Sequence, residues 1–443
     1  MTTLRFMAVL ALLAVEGVPA AAADKPGFTQ VPASAPDPVP TPLAALIEEA
    51  TQANPEIRAA RREAEAAEQR IAPAGALSDP MLEVGVLNLP IDTFSFRQDD
   101  MTMKMIGLGQ RLPYPGKRRL REQLAEEDAE ATRHRTQDTV NRTVRNVRVA
   151  YYDLALNATA TRLTLYNRGT VHQLLRIARA KYEVGQGNQA DVLKGELQLS
   201  RMSDELIRLA RQQREIAGEL DAALGRPPGQ RAIAPEPLAL TAGPATRVGH
   251  DTLAAQPRLL GLQSRIARSQ KVLDLAAKEY YPDFDVKFAY GQRDRAQDGM
   301  SRPDMILFTV GINLPVWRST RLAPLVAEAE AMRGQALDSY EAQRNDILMQ
   351  LHHQAAAAEQ SLASARLYET TILPQARLAV DASLAAYRVD RLDFLNVLDS
   401  QMTVFNAEIA HATAVAGYNK ALAEIDLLIG TPVEPQHAER GTR

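Results

Sequence analysis

Asn54-Pro55, Asp79-Pro80 and Leu112-Pro113 return 202 residues later as Gln256-Pro257, Tyr281-Pro282 and Leu314-Pro315. Further on, Tyr182-Glu183-Val184 and Leu224-Gly225-Arg226-Pro227 return as Tyr387-Arg388-Val389 and Ile429-Gly430-Thr431-Pro432, at an offset of 205. The chain therefore repeats itself once, with three extra residues in the second copy ahead of the Tyr motif. Repeats of roughly 20–50 residues build solenoids, and this period is far longer. Two copies of one large hairpin-like unit predict a pseudo-symmetric wall or tube.

Working outward from these marks, residues 43–225 form repeat 1 and 251–432 repeat 2, joined by a Pro- and Gly-rich linker, 226–250. Residues 1–23 read as a secretory signal: Arg5, a short apolar run from Phe6 to Val15, then Ala20 to Ala23 before Asp24. That run is too short to span about 30 Å of hydrocarbon. A Pro-rich leader, 24–42, follows, and a disordered tail is expected at 433–443.

Within each repeat the order is helix, two strands, long helical hairpin. Strands are expected at about 81–91 and 101–112, then at about 283–292 and 303–314. Phe284, Val286, Phe288 and Tyr290 alternate with Asp285, Lys287 and Ala289, which gives one apolar and one polar face. Met101, Met103 and Met105 tempt a copper-site reading, but an apolar barrel face accounts for them. From Lys117 to Val184 there is no proline and one glycine, so a single helix of about 100 Å is expected. Val140, Val144, Val147, Tyr151, Leu154, Ala158, Thr161 and Leu165 step by four and three, the rhythm of a coiled-coil seam. Gly185 to Asn188 reverses the chain, with hairpin tips near 185–190 and 389–394, and Pro374 is expected to bend the second long helix.

Composition narrows the function. Net charge is −3, which offers no case for nucleic acid. There is no cysteine, which removes disulfides, thiolate sites and cysteine nucleophiles. The histidines show no ligand spacing; His352 and His353 are adjacent and would point apart on a helix. The run Gly107 to Lys117 lacks the first glycine of a phosphate loop and has prolines in its turn. No catalytic constellation, cofactor site or metal site is expected.

Strands of about ten residues match a tilted membrane crossing. Tyr114, Tyr280, Tyr281 and Trp317 fall at one end of the strand pairs, as an interfacial aromatic girdle would. Four strands cannot close a barrel with an open lumen, and unpaired edges cannot sit in lipid. Several identical chains must then pool their strands into one barrel, continued by a cylinder of helices.

The signal, the doubled unit, the early Asn-Pro, the Tyr-x-Val helix reversals and the Leu-Gly-x-Pro repeat end together resemble the TolC family of outer-membrane efflux channels. The resemblance covers about Leu43 to Val433. It implies a mainly α protein with a transmembrane β-barrel: a homotrimer with four strands per protomer, a twelve-stranded barrel and an α-helical periplasmic tunnel. It implies an exit duct in the outer membrane of a Gram-negative bacterium, surrounded by outer-membrane lipid. Its partners would be a periplasmic adaptor and an inner-membrane transporter of the RND type. The duct would do no chemistry of its own. Pro113 to Arg118 is similar to the segment in members paired with heavy-metal exporters. The alternative is a periplasmic coiled-coil adaptor, which would carry one helical hairpin rather than two.

Carried over residue by residue, Asn396 and Asp399 would ring the periplasmic constriction, with Asp399 the surviving carboxylate. Asp191 and Tyr387 would make tip-closure contacts. Val184, Gly185, Gly187, Val389 and Asp390 would form the helix-tip reversals that meet the adaptor. Family members add an arginine to the Asp–Tyr pair, where this chain has Leu392, and a glycine where it has Asp390. The resemblance therefore implies a tip closed by other contacts. Taken alone, Asp191 is a carboxylate at a helix N-terminus and Tyr387 a packed tyrosine.

Overall fold

Proline and glycine decide where the elements begin and end. In this computed structural model the described residues are 40–229, 231–241 and 253–430. The expected signal, nearly all of the leader, part of the linker and the tail lie outside them. Three short helices, α1 (Leu43–Ala53), α2 (Pro55–Gln69) and α3 (Ile71–Gly75), lead into β1 (Met81–Leu87) and β2 (Met103–Leu112). Asn54 caps α2: its side chain accepts from the backbone N–H of Glu56, and Pro55 fills the first position, where no donor is needed. Then come α4 (Lys117–Glu183), of 67 residues, and its antiparallel return α5 (Gln189–Leu224). The second half runs α6 (Pro257–Lys278), β3 (Phe284–Gln292), β4 (Met305–Ile312), α7 (Ala323–Leu367), α8 (Leu373–Arg388) and α9 (Phe394–Ile429). No described helix is long and apolar enough to cross a membrane.

At Pro374, where a bend is expected, the helical winding changes. One π turn, Tyr368–Ile372, precedes Pro374, and another, Arg318–Leu322, precedes Pro324 at the same distance. A proline lacks its own N–H and crowds the carbonyl four residues back. Widening the preceding turn by one residue accommodates both without ending the helix.

The helical core is three strips rather than one mass. Leu46, Val147, Leu154, Leu220 and Leu224 join α1, α4 and α5. Leu259, Ile347, Leu351, Ile425 and Leu428 join α6, α7 and α9. Val171, Leu174, Tyr387, Phe394 and Val397 form the third strip, next to the hairpin tips. The seam of α4 departs from the sequence reading after Leu154. Asn157, Thr164 and Asn167 are buried, whereas Ala158 and Thr161 are only half-buried and Leu165 is exposed. A straight helix drifts against a strict heptad, and polar partners fix where it settles. Asn157 donates to the Leu209 carbonyl (3.1 Å), and Gln401 donates to Asn167 (2.9 Å).

The four strands form one antiparallel sheet in the order β1-β2-β3-β4. Paired residues share a face, so the register sorts the side chains. One face carries the rows Leu82–Leu108–Phe288–Phe308 and Val84–Ile106–Tyr290–Ile306. The other carries Glu83, Lys287, Asp285 and Thr309 together with Gly85, Gly107, Gly109 and Gly291. Glu83 on β1 and Lys287 on β3 form an ion pair across β2. Met103 and Met105 lie on this second face. The assignment of the methionines to the apolar face is therefore wrong: in β2 the apolar positions are the even ones, Ile106 and Leu108, and Met101 precedes the strand.

At the turn end of the sheet the two β-hairpin loops are clasped. The guanidinium of Arg302 donates to the Asp99 carbonyl (3.0 Å) and the Arg97 carbonyl (3.3 Å) and pairs with Asp100. Arg293 reaches the Asp100 carbonyl at 3.0 Å.

Candidate functional site

Two regions carry the candidate residues: the foot of the sheet and the hairpin tips. At the foot, Tyr114 and Tyr281 stack with ring centroids 4.6 Å apart, and Lys278 sits over both. Arg318 lies 6.0 Å from the Tyr280 ring, and Trp317 is 68% exposed. Beneath them Lys117 is completely buried. Its Nζ pairs with Asp283 (2.9 Å) and Glu279 (3.3 Å), and Asp283 also accepts from the Tyr114 N–H (2.8 Å). The start of α4 in the first repeat is thereby tied to the start of β3 in the second. The register position matching Lys117 in the second repeat is Ser319, which carries no charge for a matching tie.

At the first tip, Gly185 takes φ +74°, the left-handed backbone that reverses α4. A Cβ on Gly187 would lie 2.8 Å from the Tyr182 nitrogen, so only glycine fits. Asn188 then caps α5 by accepting from the Ala190 N–H (3.0 Å). The second tip uses the same hydrogen bonding: Arg391 N–H reaches the Ala386 carbonyl at 2.9 Å, as Gln186 N–H reaches that of Lys181. Asp390 stands at φ +58° where the first tip has glycine. Left-handed backbone costs a residue with a Cβ roughly 1–2 kcal/mol.

Lys181 offsets that cost. From the end of α4 its ammonium pairs with the Asp390 carboxylate, donates to the Tyr387 carbonyl (2.8 Å) and sits 4.3 Å from the Tyr387 ring centroid. The first hairpin thus grips the reversal of the second. Nothing in the sequence marked Lys181, because its partners lie more than two hundred residues away; the one signal was an aspartate in a glycine's place.

Tyr387 is buried against Phe394, centroids 6.0 Å apart. Burial above all, then the charges of Asp191 and Asp390, hold its phenol above the usual range. Asp191 is thus an electrostatic neighbour of Tyr387, and among the described residues no hydrogen bond joins the two. Val184 and Val389 are 68% and 62% exposed at the two tips. Asn396 and Asp399 share one exposed face of α9, three residues apart, opposite the buried Phe394, Val397 and Leu398.

The model of the family described as outer membrane efflux protein matches residues 46–226 and 248–431. The cobalt-zinc-cadmium resistance protein CzcC of Cupriavidus metallidurans is 26% identical over 192 residues, 43% of this chain and 44% of that protein. The pyoverdine export outer membrane protein OpmQ of Pseudomonas aeruginosa is 23% identical over 279 residues, 59% of this chain and 57% of that protein. The chain thus spans about half the length of the curated relatives it matches. Among solved structures, the outer membrane protein VceC of Vibrio cholerae superposes with a TM-score of 0.76 at 18% identity, covering 88% of this chain and 97% of that one. CusC gives 0.73 at 13% identity, covering 88% and 92%. These likenesses establish a shared fold, that of TolC-family channels. With both halves matched by one family model, the chain belongs to the outer membrane efflux protein family.

Proposed function

We propose that this chain is the exit duct of a tripartite efflux system: a homotrimer whose twelve pooled strands cross the outer membrane and whose helices form a periplasmic tunnel. The observation that carries this is the sheet. It is apolar across its full width on one face, and its edges, β1 and β4, each pair with one strand only among the described residues. Such edges have no place in lipid unless β4 of one protomer pairs with β1 of the next. The aromatic cluster at the foot of the sheet suits a headgroup level.

The two repeats each give one strand pair and one helical hairpin to this body. The tips, with Val184, Gly185, Gly187, Val389 and Asp390, are the surface for a periplasmic adaptor, which in turn meets an RND-type transporter. Closure rests on Lys181, Tyr387 and Asp390, with Asp191 acting through its charge. Asn396 and Asp399 face the constriction. The duct has no catalytic step, and selection belongs to the pump. The likeness to a cobalt-zinc-cadmium resistance protein makes metal ions the first cargo to test.

Membrane fractionation followed by gel migration with and without heating tests this reading. Recovery in the outer-membrane fraction as a heat-modifiable trimer is expected; a protein that stays a monomer in water without detergent would overturn it.

A further inference from the structure

The duct needs no methionine inside its barrel, yet the methionines of this sheet lie on the charged face. The register places Gly85, Met105, Gly291 and Met305 in one row across all four strands. Each thioether in the row is flanked by bare backbone. Met103, on the same face one pleat along β2, leans into the row: a Cβ on Gly291 would lie 2.6 Å from its Sδ. Three methionines therefore border Gly291 on one face of the sheet. Met103 lies against it, Met105 pairs with it from β2, and Met305 pairs with it from β4. The nearest carboxylate row is engaged elsewhere, since Glu83 is ion-paired with Lys287.

We propose that Met103, Met105 and Met305 form a soft-metal site that takes a monovalent cation, Cu(I) or Ag(I). Thioether sulfur is polarizable and uncharged, and it prefers such ions over Zn²⁺ or Co²⁺, which need imidazole, thiolate or carboxylate. Among the described residues no group of three or more His, Asp or Glu side chains could hold those harder ions. Neutral ligands bind weakly, and a resting point on a conduction path must release its ion. Methionine's flexible stem lets the three sulfurs adjust around a passing ion. The site rests on the duct reading only in lying within the lumen.

The test is calorimetric titration of Ag⁺ into the detergent-solubilised full chain, beside a variant carrying M103L, M105L and M305L. Leucine keeps the volume and removes the ligand. The unaltered protein is expected to bind one more Ag⁺ per protomer than the variant, with no difference for Zn²⁺. Equal silver stoichiometry would overturn the site. Gly291→Ala keeps every sulfur but fills the space under Met103, and should weaken silver binding about tenfold, as loss of a ligand's support does. Should the Leu variant fail to assemble, silver-edge X-ray absorption of the unaltered protein at one equivalent decides: sulfur neighbours support the site, and nitrogen or oxygen alone rejects it. A heat-modifiable trimer that binds no extra silver removes the site and leaves the duct. Silver binding by a protein that never trimerises does the reverse.

Discussion

Gly225 lies directly against Pro55, and Gly430 against Pro257 in the same way. The Leu-Gly or Ile-Gly motif that ends each repeat is thus the surface on which the Asn-Pro or Gln-Pro motif of its beginning rests. In both places the glycine is left-handed, φ +76° and +77°, and a Cβ would lie 2.8 Å from the Cα of Asn54 or Gln256. Asn54 adds a hydrogen bond to the Ala223 carbonyl at 2.8 Å. Gly225→Ala combines a disfavoured backbone with a clash and should cost on the order of 2–3 kcal/mol. Thermal unfolding of the assembled protein checks this; an unchanged midpoint would show that the contact is slack.

Lys181→Ala removes the grip of the first hairpin on the second tip. An ion pair with one exposed partner is worth up to about 1 kcal/mol and a cation–ring contact about as much again. The closed-to-open ratio should fall roughly tenfold for about 1.4 kcal/mol lost. Planar-bilayer recordings should show higher resting conductance. Asp390→Gly should open less, because it loses the pair but also relieves the left-handed strain.

Tyr387 sets the alkaline limit of that grip. Its pKa is raised in the folded tip, so the buried neutral phenol contributes fully below the ordinary phenol value and is lost as pH rises through the folded one. Closed-state conductance should stay flat up to about pH 10 and then rise. Tyr387→Phe should remove the phenol's part of that rise. A rise in the neutral range for either protein would contradict this account.

Asp399 stands exposed on α9 with Asn396 three residues away. If a threefold axis gathers three such carboxylates, they attract cations into the constriction. Asp399→Ala should lower cation selectivity measured as reversal potential under a salt gradient. Selectivity equal to that of the unaltered channel would remove Asp399 from the pore.

Lys117 is the buried cation at the foot of the sheet. Lys117→Met removes the close cation from Asp283 and Glu279, leaving Asp283 with Arg111 at 3.9 Å, and should destabilise the protein by about 3 kcal/mol. Adding Asp283→Asn should recover part of the loss. Denaturant unfolding of the single and double variants reads the coupling directly.

What could be read from the sequence was whatever local spacing encodes. Alternation along Phe284 to Tyr290 marked a strand, Pro113 marked the end of β2, and the proline-free run from Lys117 marked a long helix. Partners far apart in the chain were not legible. The α4 seam slipped past Leu154 because Asn157 and Asn167 found acceptors and donors on α5 and α9. The methionines were placed on the wrong face because their alternation shows that they share a side, not which side. That was decided by Ile106 and Leu108 pairing with Tyr290 and Phe288. Lys181 escaped notice for the same reason: its role exists only once two distant turns are brought together.

The clasp formed by Arg302 ties the loops with more bonds than Lys181 gives the tips. At the loops one nearly buried guanidinium holds two backbone carbonyls and a carboxylate, whereas the ammonium at the tips holds one carbonyl and a carboxylate. Under an equal load the tip is expected to yield first. In the duct proposed above, that difference would make the tip a check valve: the mouth would keep its shape, and passage would be decided where the pump is.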